Sequence, residues 1–291
     1  MVEFDSFLDW CDQGYRSCFP CRCGVSCTNN NYCNGIAANC YDCIRRVHAI
    51  GNRLVHYNCS KMVLYYVLKH GYRFRAEIIV LLYRIREFLS QQKELYITSV
   101  GCGPCTELFG CIHIWRLLGK QDEFFHFRGF DTDSIWSPLM DQVQKLFPNA
   151  DVKNNCQDAL LFYSNTDERV DIIILNYMLS DMKKFNSSHF SSFLTNFVGL
   201  IRCKKTRYIL INDIYLKESL SASYELISLL SKAGLVDKLS KYQYCSLNSY
   251  IGQHGPIVND KPQFKLQSSS IVREYDPFQE INSIQTIIKI K

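Results

Sequence analysis

The stretch that decides how this chain is read is Leu95-Tyr96-Ile97-Thr98-Ser99-Val100-Gly101-Cys102-Gly103-Pro104-Cys105-Thr106-Glu107-Leu108. An uncharged run of strand formers enters a turn with two glycines and leaves into residues suited to a helix. Glycine at a strand exit lets the backbone turn tightly and approach a ligand, while the next helix offers unpaired N–H groups. A dinucleotide-binding fingerprint would need a third glycine at the sixth position, where Thr106 stands. Asp131 follows Gly101 by 30 residues, whereas that fingerprint expects an acid after about 20. Hydride transfer with a nicotinamide cofactor is therefore disfavoured.

Outward from this turn, short apolar runs alternate with helical patterns. Leu95–Val100, Phe124–Phe130, Val170–Leu175 and Tyr208–Asn212 are predicted strands, with a further strand before Asn155. Helices are predicted over Cys105–Leu118, Ile135–Leu146, Phe185–Ile201 and Ser219–Ala233. Such alternation predicts an α/β fold with a doubly wound, mostly parallel sheet. Beyond Gly234 the pattern is β only, with strands expected at Tyr242–Leu247, Phe264–Val272 and Ile284–Ile290, added antiparallel at the end of the sheet. Upstream, apolar residues at helical spacing from Val47 to Leu68 and from Ala76 to Gln92 predict two or three helices broken at Gly71, with His70 at a helix end.

The ordered set of motifs resembles the class I S-adenosylmethionine-dependent methyltransferases, over the region from about Leu95 to Asn212. Gly101-Cys102-Gly103-Pro104 is similar to their first motif. The resemblance implies a Rossmann-like sheet and S-adenosyl-L-methionine as cofactor, with Gly101, Cys102 and Gly103 in the cofactor loop. It implies that Asp131, with neighbouring Thr132, binds the ribose hydroxyls, Asp133 being the alternative acid. Asp158 would contact the adenine. Val170-Asp171-Ile172-Ile173-Ile174-Leu175-Asn176-Tyr177 resembles the fourth motif, so Asn176 and Tyr177 are the implied residues of the methyl-transfer site. The prolines of the D/N-P-P-F/Y motif of amino-nitrogen methyltransferases are absent after Asn176. That disfavours the usual adenine-N6 or cytosine-N4 transfer. Pro104-Cys105 lies inside the cofactor loop, so Cys105 is read as packing, not as a cytosine-C5 nucleophile. Asp181, His189 and Tyr177 are the general-base candidates near the fourth strand exit.

Cysteine usage divides the chain. Nine of its 15 cysteines fall between Cys11 and Cys59. Cys18-Phe19-Pro20-Cys21 and Cys40-Tyr41-Asp42-Cys43 are two C-x2-C pairs at the spacing of a closed structural zinc site. Cys23, Cys27 and Cys33, with His48 or Cys59, could hold a second ion, so one or two zinc ions are expected. An iron–sulfur cluster would use the same thiolates. Cys102 and Cys105 lack a second pair and are read as interior thiols. We expect a cysteine-rich zinc-binding module over residues 1–59, a helical linker over 60–93 and a methyltransferase-like domain over 94–291.

Charge is equally uneven. From Cys11 to Lys93 twelve Lys and Arg face four acids, a local +8 within an overall +5. This basic third suggests a polyanion partner, with RNA favoured among nucleic acids. The hydrophobic content of 47% excludes a disordered chain. No apolar run is long enough for a spanning helix, and the acidic start Met1-Val2-Glu3-Phe4-Asp5 does not look like a secretory signal, so a reducing, cytoplasmic setting is expected. The functional expectation is methyl transfer to a nucleic acid gripped by the basic module. A protein or small-molecule methyltransferase and a non-catalytic zinc-containing scaffold with a degenerate fold are the alternatives.

Overall fold

The computed structural model describes residues 2–17, 40, 44, 57, 59–214, 217–245, 270–275, 277 and 282–291. Its centre is a seven-stranded sheet in the order β3-β2-β1-β4-β5-β7-β6. The strands are β1 (Leu95–Val100), β2 (Phe125–Phe130), β3 (Asp151–Asn155), β4 (Ile172–Asn176), β5 (Tyr208–Ile214), β6 (Val236–Cys245) and β7 (Asn282–Ile290). The first five are parallel to one another, and β7 pairs antiparallel with both β5 and β6. This is the expected doubly wound, mostly parallel, Rossmann-like α/β sheet with antiparallel C-terminal strands.

Helices cover both faces. In chain order they are α1 (Val2–Ser17), α2 (Ser60–Tyr83), α3 (Arg86–Gln91), α4 (Thr106–Leu117), α5 (Ser137–Lys145), α6 (Ala159–Ser164), α7 (Leu179–Phe185), α8 (Ser187–Lys204), α9 (Lys217–Lys232) and α10 (Ser270–Tyr275). Alternation along a strand sends successive side chains to opposite faces. Ile172 and Ile174 of β4 accordingly join the core beneath α1, α2, α4 and α5, while Ile173 and Leu175 join the core beneath α6, α8 and α9. Every residue of β4 is buried, which explains why its sequence is apolar without alternation.

Several expectations are corrected. The break at Gly71 does not occur, and α2 runs through it. A glycine inside a helix costs about 1 kcal/mol relative to alanine, but Gly71 is enclosed by Val67, Leu8 and Thr106, so close packing of α1 and α4 on α2 outweighs propensity. The boundary at Cys59 does not separate α1 from the rest. Phe4, Phe7, Leu8 and Cys11 are buried in the main core, with Phe4 and Phe7 against Phe109 of α4. The predicted helix Phe185–Ile201 begins after a break at Asn186, whose side chain accepts from the His189 N–H and caps α8. β6 starts at Val236 rather than Tyr242, and the last three residues of the strand expected over Phe264–Val272 belong to the helix Ser270–Tyr275, the others lying outside the described residues. No described helix is long and apolar enough to cross a membrane.

Candidate functional site

In an open parallel sheet, ligands bind beyond the carboxyl ends of the strands where the strand order reverses. Here that point lies between β1 and β4, whose connections leave toward opposite edges. A cleft of about 450 Å³ opens there. One wall is the turn after β1, and the opposite wall is the end of β4 with the start of α7.

The glycine turn is shaped by its own conformation. Gly101 and Gly103 have φ of +66° and +49°, the left-handed region that a side chain disfavours. A Cβ on Gly101 would lie 2.8 Å from the Cβ of Met178, so the β1 and β4 ends approach as closely as they do only because position 101 has no side chain. Cys105 also takes a left-handed φ of 57° as it enters α4. Its thiol is buried 3.1 Å from that of Cys102 and 3.3 Å from Asn154 Oδ1. Burial pushes both thiols up in pKa, so neither is a ready nucleophile.

Asp131, at the exit of β2, faces this turn. One carboxylate oxygen accepts from the Gly103 N–H at 2.9 Å and the other from the Asp133 N–H at 2.9 Å. Each oxygen keeps capacity for a further donor, which is what two adjacent hydroxyls require. Burial raises its pKa to about 6, against the pull of those N–H groups, so it is ionised at neutral pH. Glu107, on the first turn of α4, accepts from Ser99 Oγ at 2.5 Å, and burial pushes it up to about 7. Thr132, Asp133 and Trp136 continue the same wall.

The opposite wall carries Asn176, Tyr177, Met178 and Asp181. Tyr177 has a φ of 56°, a rare conformation for an aromatic residue. It is fixed from both ends: its N–H donates to the Asn212 carbonyl at 2.7 Å, and its hydroxyl donates to Glu77 Oε1 at 3.0 Å. Glu77 comes from the C-terminal half of α2 and is fully buried, which raises its pKa. Its other oxygen accepts from Asn212 Nδ2 at 2.8 Å, and the Arg73 guanidinium lies 3.9 Å away. The mouth is aromatic. Trp136 lies 4.8 Å from Tyr57 and 5.5 Å from Tyr66 between ring centroids, and Phe74 lies 4.8 Å from Tyr177.

The structure thus brings Gly101, Cys102, Gly103, Asp131, Thr132, Asn176 and Tyr177 to one cleft, together with Asp181 and His189. Asp158 is the exception. Its carboxylate caps α6 by accepting from the Leu161 N–H at 2.9 Å, and it is not part of the cleft lining. Asn212 and Asp213 lie buried beneath the cleft rather than in its wall. Sequence reasoning missed Glu77, Glu107, Trp136, Tyr57, Tyr66 and Phe74. An acid at the head of the apolar run Ile78-Ile79-Val80-Leu81-Leu82 was the available signal for Glu77, because a carboxylate buried there must find partners.

The candidate metal ligands Cys18, Cys21, Cys23, Cys27, Cys33, Cys43 and His48 lie outside the described residues. Cys40 is buried and Cys59 partly so. Among the described residues no group of three or more His, Cys, Asp or Glu could hold a metal ion.

No family model and no curated protein matches this chain. Solved structures similar to it include the plantazolicin methyltransferase BamL in complex with a triazolic desmethylPZN analog and SAH, at 14% identity over 87% of this chain and 96% of that one, TM-score 0.47. A putative class I S-adenosylmethionine-dependent methyltransferase from Listeria monocytogenes is 16% identical over 74% of this chain and 60% of its own, TM-score 0.46. A SAM-dependent methyltransferase from Aquifex aeolicus is 12% identical over 78% of this chain and 97% of its own, TM-score 0.41. The α/β, doubly wound fold of this chain stands on its own strand order and connections.

Proposed function

We propose that this protein transfers a methyl group from S-adenosyl-L-methionine to an acceptor held at the aromatic mouth of the cleft. The observation that carries this reading is the convergence, at the sheet's switch point, of the glycine turn, Asp131, Asn176 and Tyr177 in one cavity. The residues fit such a donor. The paired N–H groups aim a carboxylate with spare acceptor capacity at the position a ribose would take, and the two left-handed glycines keep the floor free of side chains. When bound, the donor supplies an already activated methyl on a sulfonium. The chain's own contribution is positioning, which for such a reaction supplies most of the catalysis. Asp131 anchors and orients. Asn176 and Tyr177, locked from below by Asn212 and Glu77, define where the acceptor atom sits. The aromatic side chains exclude water and take up flat or apolar surface of the acceptor. His189 and Asp181, both on the rim, are placed to accept a proton from an acceptor that loses one.

We further propose RNA as the acceptor class, gripped by the basic segment Cys11–Lys93, and one or two zinc ions in the cysteine-rich segment. The charge balance and the two C-x2-C pairs support these readings. The test is to incubate the purified chain with S-adenosyl-L-methionine labelled in its methyl group, with total RNA, total protein and small-molecule extracts in separate reactions. Label in the RNA fraction, reduced by raised salt and by charge reversal at Arg45 and Arg46, is the expected result. Label confined to protein or small molecules would refute the RNA reading. Metal analysis of the same sample reads the zinc content.

A further inference from the structure

The amides of Asn176 and Asn212 lie side by side, because these residues are register partners on the parallel strands β4 and β5. Which end of each amide faces which neighbour follows from what surrounds them. Glu77 presents a carboxyl oxygen to Asn212, so the Asn212 NH2 must face it, at 2.8 Å. The same NH2 donates its second hydrogen to Asn176 Oδ1 at 2.8 Å. The opposite end agrees: Gln285 Nε2, held by the Glu77 backbone carbonyl at 2.9 Å, points a donor at Asn212 Oδ1 at 3.4 Å. Reversing Asn212 would set its oxygen against the Glu77 carboxyl and its NH2 against the Gln285 donor. With its oxygen engaged, Asn176 has only its NH2 left, and no described residue accepts a hydrogen bond from it. Asn176 lines the cleft.

We propose that Glu77 sets the polarity of the methyl-transfer end: acting through Asn212, it turns Asn176 so that an N–H rather than a carbonyl oxygen faces the cleft. The site thereby selects acceptors that bring a lone-pair atom, such as a carbonyl, carboxylate or ring nitrogen, next to the reacting atom. A primary ammonium at that point would meet donor with donor. Glu77 is a positioning residue in this scheme, and Asn176 makes the contact. The inference rests on the methyl-transfer reading, because that reading puts the acceptor at Asn176.

The probes are S-adenosylhomocysteine, which has no group at the methyl position, and sinefungin, which carries a protonated amine there. Their affinities for the full chain are measured by calorimetry, and thermal melting verifies that each variant is folded. In the wild-type protein sinefungin binds no tighter than S-adenosylhomocysteine. Asn176→Asp replaces the donor by an acceptor and shifts the affinity ratio toward sinefungin by about tenfold or more, the worth of one hydrogen bond to a charged group. Glu77→Gln releases the amide order and shifts the ratio the same way by about threefold or more. Asn212→Ser does likewise and serves if Glu77→Gln fails to fold. A general loosening of the fold would weaken both ligands alike and leave the ratio unmoved. The proposal is overturned if the wild-type protein already prefers sinefungin strongly, or if the folded variants keep the wild-type ratio. Absence of binding by S-adenosylhomocysteine and sinefungin alike would instead overturn the methyl-donor reading beneath it.

Discussion

The closeness of β1 to β4 is the geometric basis of the cleft, and Gly101→Ala tests it. Two costs add at this position. A left-handed φ of +66° for alanine costs roughly 1–2 kcal/mol. The new Cβ would also stand 2.8 Å from Met178 Cβ, an atom fixed to the backbone, so the two strand ends must separate. Overpacking of this kind adds about 1–3 kcal/mol. Gly103→Ala is the internal comparison. Its φ of +49° carries the same conformational cost, but the nearest atom to its Cβ is a Trp136 ring carbon at 3.6 Å, an ordinary contact. Denaturant unfolding should therefore place Gly101→Ala roughly 2–5 kcal/mol below the wild-type protein and Gly103→Ala only about 1–2. Calorimetry with S-adenosylhomocysteine should show the larger loss of affinity for Gly101→Ala. Equal destabilisation, or a larger effect at Gly103, would refute the claim that strand approach at Gly101 builds the site.

Other consequences are as specific. Because Asp131 titrates near 6 for reasons of burial, affinity for S-adenosylhomocysteine should hold at pH 7.5 and fall as the pH drops through about 6, a dependence that Asp131→Asn removes along with most of the binding. Asp158→Ala should cost about 1 kcal/mol as a lost helix cap and leave cofactor affinity unchanged, read by melting and calorimetry. Phe4→Ala should cost about 3–5 kcal/mol in urea unfolding, because its ring is buried against Tyr72 and Phe109; a change below about 1 kcal/mol would mean that α1 is not part of the core. Glu107, Asp131 and Asp213 are all raised by burial, to about 7, 6 and 6. A raised carboxyl binds its proton more tightly in the folded state, so its contribution is favourable at low pH and is lost as the pH rises through the folded value. The melting temperature contributed by these groups should thus decline between about pH 4 and pH 7, and Glu107→Gln should flatten that decline.

What could be read from the residues alone was whatever depends on local pattern. The uncharged run into Gly101-Cys102-Gly103-Pro104 marked the central strand and its turn, and the continuous apolar run at Ile172–Leu175 marked a strand buried on both faces. Strand-end Asp131 and Asn176 could be placed because a strand end points to the ligand side whatever its neighbours are. Reading failed where tertiary packing reversed a local preference. Gly71 breaks a helix on propensity, yet it lies inside α2, whose surface there is covered by Leu8 of α1 and Thr106 of α4. The helix α1 was hidden by its nearness to the cysteine-rich stretch, and only its burial against Phe109 shows that it belongs to the main core. Asp158 has the expected order in the chain, but the structure gives its carboxylate a helix to cap and leaves it outside the cleft lining, which depends on packing that no local pattern shows. Glu77 could not have been assigned to the site, because its partners Tyr177 and Asn212 lie 100 and 135 residues away.

The measurement closest to the centre of this account is calorimetric titration of the purified full chain with S-adenosylhomocysteine at pH 7.5, beside Asp131→Ala and Asp158→Ala. The account predicts a single site in the wild-type protein, retained in Asp158→Ala and lost or weakened by at least about tenfold in Asp131→Ala, the loss of two charge-assisted hydrogen bonds. Absence of binding by the wild-type protein, or undiminished binding by Asp131→Ala, would contradict it.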